Sequence, residues 1–241
     1  MMEPFTIKTF ALDISLRPYI RYNLINQWTF LLSKKCLMDL TLRIMRNHPY
    51  KLPSVMYSEE LEKLILSNCI IRPPCSFRGF YKLKWLLLIQ VTLELDNIPA
   101  SFLWMPKLVR LEAKSCIGLD HLKIYAPRLV ILSYTFNNST KILKWDHFID
   151  CQKLKLVVLI GHQYQEKAMN LTHLVNNWPK IICLLTDSYY LKSLTFGAKV
   201  ERLPTSLNKL RVMDPFEFNF DVEDQIVIRV RSRKWTYEDI C

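Results

Sequence analysis

Seven cysteines, five histidines and 22 acidic residues supply raw material for metal binding or nucleophilic catalysis. Their spacing assembles neither. No Cys-x-x-Cys occurs, and His48, His121, His147, His162 and His173 stand at no spacing from a thiol or carboxylate that would close a zinc shell. Asp146-His147 offers two members of a hydrolase triad, but no Gly-x-Ser-x-Gly elbow accompanies it. Glu59-Glu60 reads as a solvated turn. The four glycines, Gly79, Gly118, Gly161 and Gly197, are too far apart for a Walker loop or a Gly-x-Gly-x-x-Gly turn, both of which need backbone to approach phosphate at several positions. The expectation is therefore no catalytic residue, no metal, no cofactor, and a chain that is not an enzyme.

The remaining bulk properties narrow the class further. The stretch MMEPFTIKTFALDISLRP holds no sustained apolar core of a secretory signal, and no uncharged apolar run reaches the ~18 residues a membrane span needs. An odd number of cysteines without paired spacing points to free, mostly buried thiols in the cytosol or nucleus, away from membranes. The net charge of +11 invites a nucleic-acid reading. The basic residues are dispersed, however, with the densest group at Arg229, Arg231, Arg233 and Lys234. A solvated basic surface is the reading preferred, and nucleic acid is not the expected partner.

What must position any functional residue is a repeat. The pattern L-x-x-L-x-L recurs as Leu37-Leu40-Leu42, Leu61-Leu64-Leu66, Leu83-Leu86-Leu88 and Leu108-Leu111-Ala113. It continues as Leu129-Leu132-Tyr134, Leu154-Val157-Leu159, Ile181-Leu184-Thr186 and Leu207-Leu210-Val212, with a first copy at Ile7-Phe10-Leu12. Every key position except Thr186 is apolar, and successive starts fall 21 to 30 residues apart. The last two apolar residues of each window lie two apart, so both face one side of a short strand. A lone strand cannot bury that side; stacked copies can. The expected fold is an α/β leucine-rich-repeat solenoid, one domain over 1–241. It would carry a curved single parallel sheet and irregular helices and loops on the convex side. Repeats span about 5–212, with 213–241 a degenerate C-terminal strand and tail. The ninth position normally closes the turn with Asn or Cys; Cys69, Cys116 and Asn137 occupy it, whereas Met45, Val91 and Tyr189 do not fit.

Between strands, Leu24, Trp28, Leu31 and Leu32 give helical spacing behind Asn23 as a cap. Leu171, Leu174, Val175 and Trp178 do the same behind Asn170, with Pro179 as a stop. Trp145, Phe148 and Ile149 suggest a short turn of helix, while Ile71 to Phe80, with Pro73-Pro74, reads as extended. Half-repeats at Leu119-Leu122-Ile124 and Leu191-Leu194-Phe196 suggest a second strand in some units. PFEFNFDVEDQIVIRV alternates enough for one more edge strand.

The third and fifth residues of each window point away from the core and line the concave face. Candidate partner-binding residues are Lys63 and Ile65, Trp85 and Leu87, Arg110 and Glu112, then Ile131 and Leu156. Aromatic and Arg residues are common interface anchors, and so apolar a row is unusual for a surface. Either a partner meets it, or long loops or a second layer of the same chain cover it.

INQWTFLLSKKCLMDLTLRI, YKLPSVMYSEELEKLILSNCIIRPPCSFRGFYKLKWLLLIQVTL and LVRLEAKSCIGLDHLKIYAPRLVILSY resemble the plant F-box/LRR and F-box/FBD/LRR proteins over about residues 5–210. The strand, the Cys, the double proline and the F-x-G-F loop carry the likeness, and Met105-Pro106 replaces the family's usual Cys-Pro. The resemblance implies a protein-binding module like the substrate-recognition part of a Skp–cullin–F-box ubiquitin ligase, holding a target protein on its repeats. An F-box needs ~40 residues, more than precede residue 5, so a Skp-type adaptor is expected only where a longer form supplies one. The alternative is a truncated or repeat-only protein without ligase recruitment.

Overall fold

The computed structural model describes residues 7–14, 22–33, 36–44, 48–94, 102–119, 123–135, 148–161, 174, 177–188, 190–191, 206–213, 228–230 and 233–235. In chain order the elements are β1 (Thr9–Asp13), α1 (Tyr22–Ser33), β2 (Asp39–Arg43), β3 (Tyr50–Lys51), β4 (Lys63–Ser67) and β5 (Cys69–Ile71). They continue as β6 (Trp85–Ile89), β7 (Thr92–Leu93), β8 (Phe102–Trp104), β9 (Arg110–Lys114), β10 (Lys123–Tyr125) and β11 (Ile131–Thr135). The last are β12 (Phe148–Ile149), β13 (Leu156–Ile160), β14 (Cys183–Asp187), β15 (Lys209–Met213), β16 (Ile228–Val230) and β17 (Arg233–Trp235).

Each of the nine sequence windows contributes one strand to a parallel sheet whose spatial order follows chain order, β1-β2-β4-β6-β9-β11-β13-β14-β15. The windows also pair without a slip. Phe10 faces Leu40, and the same column runs through Leu64, Leu86, Leu111, Leu132, Val157, Leu184 and Leu210. A slip of one residue would turn every leucine to the other face, so core burial itself fixes the register. The sixth-position residues Leu42, Leu66, Leu88 and Leu159 are at most 1 % exposed.

A backbone device repeats with the same regularity. At the start of each strand of this sheet after β1, two successive N–H groups donate to one carbonyl of the preceding unit. Lys84 and Trp85 share the Glu62 oxygen, for example, and Val109 and Arg110 share that of Lys84. Strand exits match too: Asn68, Gln90 and Ser115 each adopt φ 53°, a left-handed turn leading chain out of the sheet.

Behind the core, the described residues also form short strands. β3-β5-β7 and β8-β10-β12 form two further parallel sheets. The half-repeat ending at Ile124 is β10, as its spacing suggests. Phe148 and Ile149, expected in a helical turn, instead pair with β10 as β12. The loop carrying Gly79 packs so closely that a Cβ there would overlap the Trp104 carbonyl oxygen, and its φ of 151° suits glycine. No other residue fits the loop that precedes β6.

Helix α1 forms, but with a different inner face. Ile25, Thr29 and Leu32 are buried, whereas Leu24, Trp28, Phe30 and Leu31 are exposed. Asn23 lies inside the helix, which begins at Tyr22, and so does not cap it. Leu174 and Asn177 are helical and Leu174 and Trp178 are buried, in keeping with the second helix; its capping residues and Leu194-Phe196 lie outside the described residues. At the C-terminal end, β16 and β17 pair with each other as an antiparallel hairpin. The inward residues of β15, Leu210 and Val212, remain about half exposed at 46 % and 51 %.

Candidate functional site

Because successive strands are in register, residues distant in sequence fall into rows across the face of the sheet turned from the main core. Lys63, Trp85, Arg110, Ile131 and Leu156 form one row. Ile65, Leu87 and Glu112 lie together in the next. All eight candidate residues are thus contiguous, but they are not equally available. Lys63, Trp85, Leu87 and Arg110 are half-buried, whereas Ile65, Glu112, Ile131 and Leu156 are buried. In the C-terminal half of this face, Ile131, Leu156, Val158, Ile160, Cys183 and Leu185 make a second hydrophobic cluster, each at most 3 % exposed. Among the described residues this face is covered at β11, β13 and β14, and open over the N-terminal and central strands; Lys209 and Arg211 of β15 are half-buried.

The centre of that open surface is a built arrangement. Lys63 Nζ lies 4.2 Å from the centre of the Trp85 ring and Arg110 Cζ lies 4.7 Å from it, so two cations flank one indole. Such contacts contribute roughly 0.5–2 kcal/mol. The indole Nε1–H donates to Glu112 Oε1 at 3.2 Å. The same oxygen lies 2.5 Å from Arg110 Nε, an ion pair that lacks the alignment of a hydrogen bond. Glu112, with its side chain 3 % exposed, is therefore the floor on which Trp85 and Arg110 rest. Chemically the arrangement is an oriented aromatic with two basic neighbours, held on a buried carboxylate.

The repeat's ninth-position residues complete the picture. Cys69 Sγ donates to the Ser67 carbonyl at 3.4 Å, and Cys116 Sγ to those of Leu88 and Lys114 at 3.5 and 3.4 Å. A buried thiol satisfying the strand-exit backbone in two alternate units, together with nine windows in register, decides the architecture. The fold is a leucine-rich-repeat solenoid. Comparison with known proteins agrees: the chain is 26% identical over 217 residues to an F-box/FBD/LRR-repeat protein of Arabidopsis thaliana, covering 86% of this chain and 50% of that protein. The leucine-rich-repeat chain thus spans half the length of the curated relative it matches. No family model matches, and no solved structure does.

The solenoid's buried cysteines are structural by placement. Burial pushes the thiols of Cys69, Cys116 and Cys151 up to about 12, whereas Cys36 and Cys75 are exposed. Thiolate is the reacting form, and a raised pKa leaves almost none at neutral pH. Brief iodoacetamide treatment followed by peptide mass spectrometry should label Cys36 and Cys75, leaving Cys69, Cys116 and Cys151 unmodified until the chain is unfolded. Labelling of Cys69 at a rate equal to Cys36 would contradict this packing.

Among the described residues no group of three or more His, Cys, Asp or Glu could hold a metal ion. No described helix is long and apolar enough to cross a membrane. His121, His147, His162 and His173 lie outside the described residues, as does Asp146; His48 is exposed. The sequence reading missed Asp187. Its fully buried carboxylate accepts N–H groups from Gly161 at 2.5 Å and Tyr190 at 2.7 Å, tying one unit to the next. Its position immediately after Thr186, the one polar key position, was the available signal.

Proposed function

We propose that this chain is a protein-recognition module, whose open sheet face holds a target protein for a Skp–cullin–F-box ubiquitin ligase. The observation that carries the reading is the Trp85 arrangement: an indole held by Glu112 and flanked by Lys63 and Arg110 at the centre of the accessible sheet. Trp and Arg dominate binding hot spots because each offers a large contact area with a fixed polar group. The similarity to an F-box/FBD/LRR-repeat protein supplies the ligase context.

The test is site-specific photocrosslinking. A photoreactive residue placed at Leu87 should capture a target protein, and one placed at Val55, exposed on the opposite side, should not. Trp85→Ala should abolish the Leu87 crosslink; loss of a hot-spot aromatic costs ~2–4 kcal/mol of binding, or 30-fold and more. Fusing the chain to an F-box bound to its adaptor in a reconstituted cullin ligase should then lead to ubiquitination of that same protein. Equal crosslinking from both faces, or capture unaffected by Trp85→Ala, would move the recognition surface elsewhere. A captured protein that is never ubiquitinated would refute the ligase role alone and favour a repeat-only binding protein.

A further inference from the structure

We infer that one edge of the solenoid is a second docking surface, a ladder of cations that receives an acidic segment of a partner protein. The first observation is geometric. Strands β6, β9, β11, β13 and β14 are each entered through the same tight turn, closed by an N–H three residues on: Leu83 to Phe80 O, Leu108 to Met105 O, Leu129 to Ala126 O, Leu154 to Cys151 O and Ile181 to Trp178 O. The third residue of each of these five turns is basic, Lys82, Lys107, Arg128, Lys153 and Lys180, whereas in the like turn before β4, closed by Leu61 N–H to Ser58 O, it is Glu60. Identical turns on parallel strands about 4.8 Å apart superpose that position. Charges 20 to 30 residues apart in sequence therefore stand in one file.

Turn chemistry does not explain them. Such turns favour Pro at the second position, as at Pro106, Pro127 and Pro179, but ask for no cation at the third. Like charges on adjacent strands repel, so the file gives the fold no stability of its own. Its two ends differ. Towards the N-terminus the chain neutralises itself: Lys82 Nζ meets Glu60 Oε2 at 2.6 Å, and Lys84 Nζ meets Glu62 Oε2 at 2.6 Å. Lys84, with Lys107 and Lys82 more weakly, holds the Glu62 carboxyl below its ordinary range. Arg128, Lys153 and Lys180 are exposed and form no ion pair among the described residues.

Glu60 and Glu62 also show what fits. A carboxylate one unit away along this edge meets the ladder cation at ion-pair distance, and an acidic polypeptide laid beside Arg128 to Lys180 would continue that pattern. Carboxylates are favoured over phosphates because the fold already makes the carboxylate contact. The inference rests on the reading of the chain as a protein-binding module but uses a different surface from Trp85, so the two fail separately.

The probe is a short fluorescein-labelled peptide alternating Glu and Ser, followed by fluorescence anisotropy with the full chain. The triple variant Arg128→Glu/Lys153→Glu/Lys180→Glu should weaken binding at least about tenfold at low salt, and the loss should shrink as salt screens the charges. The same net change made off the ladder, Lys51→Glu/Arg78→Glu/Lys123→Glu, should alter it less than about threefold by comparison. A glutamine version of the ladder triple should move in the same direction, which keeps the comparison valid should the reversal variant fold poorly. Equal losses from the two triples would overturn the proposal in favour of overall charge. A single-stranded oligonucleotide that bound more tightly than the peptide, and lost that binding in the ladder triple, would overturn the choice of an acidic protein. Retention of the Leu87 crosslink by the ladder triple, with peptide binding lost, would confirm two independent surfaces.

Discussion

Leu66→Ala is expected to destabilise the chain by about 2–5 kcal/mol, the range for truncating a fully buried leucine. Leu66 is 0 % exposed and stands in register between Leu42 and Leu88, each also buried. The cavity would open between two neighbouring units at once, with rigid strands on both sides that cannot collapse into it. In a stack where each unit touches mainly its neighbours, weakening one junction uncouples everything on the shorter side. Urea unfolding should therefore show both the loss of stability and, in hydrogen exchange, an early opening of β1 and β2. A loss below 1 kcal/mol with unchanged protection of β2 would mean that the leucine columns do not hold the units together.

Glu112→Ala is the second large effect, expected at about 2–4 kcal/mol. Breaking a fully buried ion pair costs ~3–5 kcal/mol because one charge is left without compensation; here Arg110, 15 % exposed in its side chain, reaches some water and the cost falls. The substitution also removes the acceptor for the Trp85 indole. Glu112→Gln retains an oxygen for that indole but not the charge, so it should cost less and preserve crosslinking at Leu87. Arg110→Met combined with Glu112→Leu removes both charges and should recover much of the loss. Stability of the double variant equal to the sum of the two single losses would show that Arg110 and Glu112 are not coupled.

The sheet was legible because leucine alternation encodes both strand and face, and every further window repeated the message. Much of the layer behind the core was not. Trp145, Phe148 and Ile149 satisfy helical spacing as well as a strand does, and only pairing with Ile124 and Tyr125 decides for β12. In α1, the sets 24/28/31/32 and 25/29/32 share Leu32 and are centred roughly 80° apart around one axis. The choice is made by tertiary contacts such as the Tyr50 hydroxyl donating to Asn26 Oδ1 at 2.8 Å. For the candidate site, alternation told which residues leave the core but not what lies over them. Ile131 and Leu156 share a row with Trp85 and yet are buried, a property of the folded chain that no local pattern carries. The cationic file was present in the sequence as a basic residue before each of five window starts, and read as dispersed only because those residues are so far apart along the chain.

The unbroken order of the nine strands has a mechanical consequence. Each inner strand of this sheet hydrogen-bonds to the sheet strand of the preceding unit and to that of the following one. Closing each new unit therefore loops a similar, short length of polypeptide, at an entropic cost that varies only with the logarithm of that length. Tension applied along the axis of the stack would load one interface at a time, as in a zipper, and not all of them in shear. The solenoid should yield under force unit by unit, beginning at β15, where Leu210 and Val212 have the least neighbouring surface to lose. On release it should rewind along the same track, each restored strand serving as the template for the next.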